Sequence, residues 1–332
     1  MVRFVLYLWM SVLSVALARF RRGPLRPTWT FGYEVLIRAQ KRFHEYVARL
    51  TPEQERQAWA SLKGQTPSLK RVTWAESARA GVPCIEISPR EPNPPKRVIL
   101  YLHGGGFLSG SQHSHGELCA RIALASAARL VFPIYRLAPE HPFPAALDDA
   151  LAVYRALLAA GEQPSDIVIA GDSAGGNLTL ALLVALRDQA VPLPAAAVPI
   201  SPWVDLVDRS ASMQHHERFD WASPWMFDRW QREYLGGKDP ADPLASPARA
   251  DLHGLPPLLI QIGTAEMLYD QVKAFARRAQ DAGVEVILDE YADRVHLWHT
   301  LAPIFPECQA SIERIGRYVR ELRTLTRQPS SA

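Results

Sequence analysis

The chain has 332 residues, 48% of them hydrophobic, and a formal net charge of +3. That length fits one or two domains with a full core, and so small a charge, with no basic stripe interleaved with aromatics, excludes a nucleic-acid footprint. Cys84, Cys119 and Cys308 are few and widely spaced, which excludes a disulfide framework or a zinc cluster and points to reduced thiols.

Met1–Ala18 carries one charge, Arg3, ahead of Arg19, Arg21 and Arg22. The apolar run falls short of the roughly 20 residues that a spanning helix needs. Arg3, Tyr7, Ser11 and Ser14 recur at helical spacing, which predicts a helix lying on a membrane surface or packed on a cap. Ala16-Leu17-Ala18 also has the form of a signal-peptidase site, but the arginines that follow oppose translocation. The expected location is cytoplasmic, with membrane association through residues 1–22. The alternative is export with cleavage near Ala18.

Two amphipathic helices are expected over 34–50 and 52–62. Strands follow near 70–75, 82–88, 97–102, 130–135, 166–170, 195–200, 257–263 and 284–291, with helices near 117–128, 144–160, 175–189, 269–282 and 307–323. This alternation predicts an eight-stranded, mostly parallel sheet with helices on both faces and an antiparallel start. Proline clusters at 89–95 and 139–144 mark connections, and 326–332 reads as a polar tail. Residues 205–245 insert Trp221, Trp225, Phe227, Trp230 and Tyr234 between two core strands.

Two strand ends carry chemistry. Gly171-Asp172-Ser173-Ala174-Gly175-Gly176 joins the apolar run 166–170 to a helix-like segment. A strand turning sharply into a helix through G-x-S-x-G is a nucleophile elbow, in which flanking glycines permit a strained turn that lifts the serine hydroxyl clear of the sheet. The helix N-terminus beside it favours developing negative charge. His103-Gly104-Gly105-Gly106-Phe107 ends the strand at 97–102. Its glycines expose backbone N–H groups that suit an oxyanion, whereas neither phosphate-binding glycine pattern is satisfied.

With these motifs the chain resembles the bacterial hormone-sensitive-lipase-like esterases of the α/β-hydrolase superfamily. The likeness also rests on Tyr135-Arg-Leu-Ala-Pro-Glu-His-Pro-Phe-Pro144, Ser201-Pro-Trp203 and Asp242-Pro-Leu-Ala-Ser-Pro247, and covers about residue 70 to the C-terminus. It implies an α/β-hydrolase fold with its core at 66–204 and 246–325. A cap would form from the insertion 205–245 together with residues 1–65. It also implies Ser173 as nucleophile and the N–H groups of Gly105, Gly106 and Ala174 as the oxyanion hole.

A serine hydroxyl needs a base, and the base needs an orienting acid; in this superfamily they follow in the order Ser, acid, His. His296 lies just past the last expected strand and ahead of Trp298, where the family carries its catalytic histidine. His299 reads as a packed helix-start residue, and His215, His216 and His253 lie in other contexts. After the strand at 257–263 the family usually reads Asp-x-Leu-x-Asp, and here Glu266 holds the first position and Asp270 the second. Glu266 is the expected acid; Asp270 is expected to cap the next helix.

The resemblance implies a serine carboxylesterase acting on short- to medium-chain acyl esters, with no cofactor and no metal. Its expected partners are a small acyl ester and a membrane surface at residues 1–22, and the chain works as a monomer or homodimer. An amidase or acyltransferase would use the same triad. Plant gibberellin receptors resemble the family yet bind without catalysis, having lost the histidine that His296 supplies here.

Overall fold

The computed structural model describes residues 2–61, 66–90 and 97–322. The polar tail at 326–332 and most of the proline cluster at 89–95 fall outside them. Eight strands form one sheet: β1 (Val72–Arg79), β2 (Val82–Pro89), β3 (Val98–Leu102), β4 (Arg129–Pro133), β5 (Ile167–Asp172), β6 (Ala196–Ile200), β7 (Leu258–Gly263) and β8 (Val286–Tyr291). Their order is β1-β2-β4-β3-β5-β6-β7-β8. β1, β2 and β4 pair antiparallel and every other pairing is parallel, so the antiparallel start and parallel body match expectation.

The central strands are buried along their whole length, as a sheet covered on both faces requires. Alternation at period two divides the core. Val98, Leu100 and Leu102 of β3 join the apolar cluster on one face, and Ile99 and Tyr101 the cluster on the other. Gln112–Ser126 and Pro306–Glu321 supply apolar side chains to the second face, and Ala145–Ala159, Ala174–Asp188 and Tyr269–Asp281 to the first. The helix expected at 117–128 instead begins at Gln112. Ser111 caps it by accepting from His113 N–H, and Ser114 returns a bond to Ser111 N–H. Its polar first turn, Gln112-His-Ser-His115, hides the start from a reading based on apolar periodicity.

Among the described residues four helices precede the sheet: α1 (Val2–Arg22), α2 (Phe31–Val47), α3 (Pro52–Ala60) and the one-turn α4 (Pro67–Lys70). α1 continues four residues past Ala18. The span Arg3–Arg22 is long and apolar enough to cross a membrane, which corrects the expectation that the run is too short. Thr30 and Thr51 cap α2 and α3 through their hydroxyls.

Candidate active site

Parallel pairing explains how motifs about 70 residues apart in the sequence come together. β3 and β5 are neighbours with Leu102 opposite Gly171, so the HGGG loop and the elbow leave the sheet side by side at its carboxyl edge. β7 and β8 pair with Gly263 opposite Tyr291, which delivers Glu266 and His296 to the same edge. Open α/β sheets bind ligands at this edge.

Ser173 sits at φ +55°, ψ −118°, between β5 and the helix Ala174–Asp188. Such a backbone is strained for a side-chain-bearing residue and survives only where its surroundings enforce it. Here Ser173 N–H donates to Ile200 O at 2.9 Å, and its carbonyl accepts from Trp203 N–H at 3.1 Å and Asn177 N–H at 3.0 Å. A Cβ on Gly175 would lie 2.0 Å from Leu102 O, so the elbow closes on β3 only with glycine there.

Gly105 and Gly106 have φ of +118° and +62°, and a Cβ on Gly106 would strike the Trp230 ring at 2.6 Å. Among the described residues no carbonyl or side chain accepts from the N–H groups of Gly105, Gly106 or Ala174. These three N–H groups are therefore unpaired donors, and Gly105 and Gly106 line the same cavity as Ser173. Asp172 holds the loop in place: its Oδ1 accepts from Gly104 N–H at 3.2 Å and Tyr101 Oη–H at 2.8 Å, and His115 Nε2 lies 3.4 Å from Oδ2. Burial pushes the Asp172 carboxyl up, but His115, Tyr101 and His103 together hold it below its ordinary range. Tyr135 donates to His103 O at 2.6 Å and stacks on its ring, which gives the Tyr135–Pro144 motif a supporting part.

His296 Nδ1–H donates to Glu266 Oε2 at 3.0 Å, with both side chains buried. Glu266 Oε1 accepts from Ser201 Oγ–H at 2.8 Å and Gly263 N–H at 2.6 Å, so both carboxylate oxygens are engaged. Burial disfavours charge on both groups; for His296 the Glu266 bond and charge, then Asp220 and Asp172, outweigh it and hold the imidazole above its ordinary value. Burial likewise pushes Glu266 up, against the pull of His296. Nδ1 is committed to Glu266, which leaves Nε2 as the ring nitrogen able to take a proton. Ser173, His296, Gly105 and Gly106 line one cavity of about 250 Å³, together with Trp221 and Trp230.

The alternatives fall elsewhere. Asp270 is not the cap of its own helix, whose N-cap is Leu268; its Oδ2 accepts from Ser212 N–H at 2.8 Å and so ties down the first turn of the short helix Ala211–His215. His299 is fully buried and bonded to Gln261 Oε1 at 2.7 Å, and burial pushes it down to about 3. His216 Nδ1–H donates to Glu266 O at 2.9 Å, fastening the Glu266 backbone.

Sequence reasoning missed the grip that the insertion has on His296. Asp220 Oδ1 accepts from His296 N–H at 3.2 Å and Trp221 N–H at 2.8 Å, while Oδ2 accepts from Met267 N–H at 2.9 Å. Trp221 Nε1–H donates to His296 O at 2.8 Å. The N-terminal segment holds the same loop: Trp29 Nε1–H donates to Asp293 O, and Arg26 pairs with the Asp293 carboxylate. No local pattern announces these bonds; only Ser201, inside Ser-Pro-Trp, lay in a motif that could have suggested its role.

A serine elbow with a buried acid–histidine pair at the carboxyl edge of such a sheet defines an α/β hydrolase. Residues 99–300 match a model of the α/β hydrolase fold family. An acetyl-hydrolase of Streptomyces hygroscopicus is 46% identical over 229 residues, 68% of this chain and 75% of its own length. The putative acetyl-hydrolase LipR of Mycobacterium tuberculosis is 32% identical over 79% of this chain and 84% of its own. The crystal structure of an esterase from the bacterial hormone-sensitive lipase family superposes with a TM-score of 0.80 at 40% identity, covering 85% of this chain and 97% of that one. The chain belongs to the bacterial hormone-sensitive-lipase-like esterases, which are carboxylic ester hydrolases.

Proposed function

We propose that Ser173 is the nucleophile of an acyl-enzyme mechanism in which His296 is the base and Glu266 its orienting acid. The observation that carries this reading is the buried 3.0 Å Glu266–His296 bond opening on the cavity that holds Ser173. Ser173 Oγ attacks the ester carbonyl carbon while His296 Nε2 takes its proton. The carbonyl oxygen gains the electron pair and accepts from the N–H groups of Gly105, Gly106 and Ala174. Collapse breaks the bond to the alcohol, which leaves with the proton from His296. A water then gives a proton to His296 and attacks the acyl carbon, and Ser173 is regenerated as the carboxylic acid departs.

Short to medium acyl chains fit best. The cavity of about 250 Å³ lies below the roughly 300–1,000 Å³ of drug-sized pockets, and Trp59, Trp221 and Trp230 give it aromatic walls. Each methylene that fits adds about 0.8 kcal/mol of binding until the space is full. Catalytic efficiency on p-nitrophenyl esters of rising length is expected to peak between acetyl and octanoyl. Greater efficiency on palmitoyl esters would overturn the small-cavity reading.

A further inference from the structure

Seven of the twelve exposed large hydrophobic side chains among the described residues lie on α1. Leu6, Trp9, Met10, Leu13, Leu17 and Phe20 follow one another at helical spacing and form a single outward stripe, with Leu13 74% and Phe20 91% exposed. An apolar stripe this continuous on a water-facing helix marks a surface that something covers.

The opposite stripe is fastened to the protein. Arg42 donates to Ser11 Oγ at 2.8 Å, Arg3 stacks over the Tyr46 ring, and Phe4 meets Phe43 edge-on. At the far end Arg19 and Arg22 both pair with the buried Glu34, at 2.9 and 2.5 Å. The inner face of α1 thus carries Ser11, Arg19 and Arg22 together with Phe4 and Val15, while the continuous apolar stripe faces outward.

We infer that α1 is a membrane-surface helix that docks this protein on anionic phospholipid. Charge selects the occupant. α1 has no acidic residue, and with Arg19 and Arg22 paired to Glu34 the exposed Arg3 and Arg21 flank the apolar stripe with positive charge at its two ends. An anionic headgroup layer complements that rim, and Trp9 suits the boundary between headgroup and acyl chain. A second copy would bring cationic ends against cationic ends in either orientation. Crossing the bilayer would pull α1 off α2 and leave Glu34 buried without its two arginines, a costly state. Lying flat keeps every one of these bonds. From its inner face α1 is also linked to the cavity through His44, Trp59 and Trp221, which line it. Ring contacts run from Phe4 through Phe43 and Trp59 to His44, whose ring lies tilted against Trp221 with centroids 3.9 Å apart.

The test is co-sedimentation of the full chain with phosphatidylcholine vesicles, with and without phosphatidylglycerol. The wild type is expected to partition onto the anionic vesicles and to come off as salt rises. Combined Leu6→Gln, Leu13→Gln and Phe20→Gln is expected to weaken partition about tenfold or more, with p-nitrophenyl acetate turnover in lipid-free solution unchanged. That retained turnover reports an intact fold, and the salt dependence of the wild type stands independently of the variant. Equal partition by wild type and variant, or no binding to either vesicle, would overturn the inference. So would a dimer in solution that the three substitutions dissociate, membrane retention through alkaline carbonate washing, or recovery of the cellular protein cleaved after Ala18.

Discussion

Asp220 and His296 are joined through the backbone, the Asp220 carboxylate accepting the His296 N–H at 3.2 Å while the neighbouring Trp221 indole donates to the His296 carbonyl. The same carboxylate accepts from Met267 N–H, one residue past Glu266. One side chain of the insertion thus holds His296 and Glu266 in register, and its carboxylate lies beside the imidazole. Asp220→Asn keeps the size and removes the charge. Turnover is expected to fall roughly ten- to a hundredfold, the scale of a small misplacement of a reacting group. The imidazolium is also favoured by Glu266, ahead of Asp220, and by Asp172, with the neutral His44 ring nearby, so losing the Asp220 charge lowers the His296 pKa. The acid limb of the kcat/KM profile is expected to move to lower pH. An unmoved limb with wild-type turnover would leave Asp220 a packing residue only.

Glu266 and Asp270 are separated by what they touch. Glu266 meets His296, whereas Asp270 meets Ser212 N–H. Glu266→Gln is expected to cost about ten-thousandfold in turnover. Asp270→Asn is expected to keep turnover and lose about 1 kcal/mol of stability. Steady-state rates and urea midpoints on the two variants decide between them. An active Glu266→Gln with a dead Asp270→Asn would exchange the roles.

Three histidines other than His296 set an acid limit on stability. Burial pushes His44, His103 and His299 each down to about 3, from near 6.5 in an unfolded chain. Between those values the unfolded state binds protons that the folded one refuses. Their contribution is therefore complete above about pH 6.5 and is lost as pH falls, by roughly 1.4 kcal/mol per pH unit for each. His296 is shifted the other way and offsets part of that loss. The melting temperature is expected to drop clearly between pH 7 and pH 5; an unchanged or rising one would contradict buried neutral imidazoles at these positions.

The strands, the elbow and the HGGG loop were legible because each is a local pattern: an apolar run that ends in glycines with a particular job. Gly175 and Gly106 show why, since a single Cβ at either would collide with Leu102 O or the Trp230 ring. Glu266 and His296 were legible only through the family resemblance, as a carboxylate and a histidine at strand ends. Asp220 was not legible at all. Its partners lie 47 and 76 residues away and are backbone N–H groups, which carry no side-chain signature. Asp270 misled for a related reason. An acid at the start of a helix reads as its cap, yet the chain folds so that this acid serves a different helix. α1 showed its polar stripe in sequence, but only packing against α2 reveals that this stripe faces inward.

The central claim is that chemistry passes through Ser173. Its most direct measurement is mass spectrometry of the full chain after reaction with diethyl p-nitrophenyl phosphate, read together with p-nitrophenyl acetate turnover. One phosphoryl adduct is expected, on the peptide that carries Ser173. Ser173→Ala is expected to take up none and to lose turnover on the order of a million-fold. An adduct on another residue, or turnover retained by Ser173→Ala, would contradict the account.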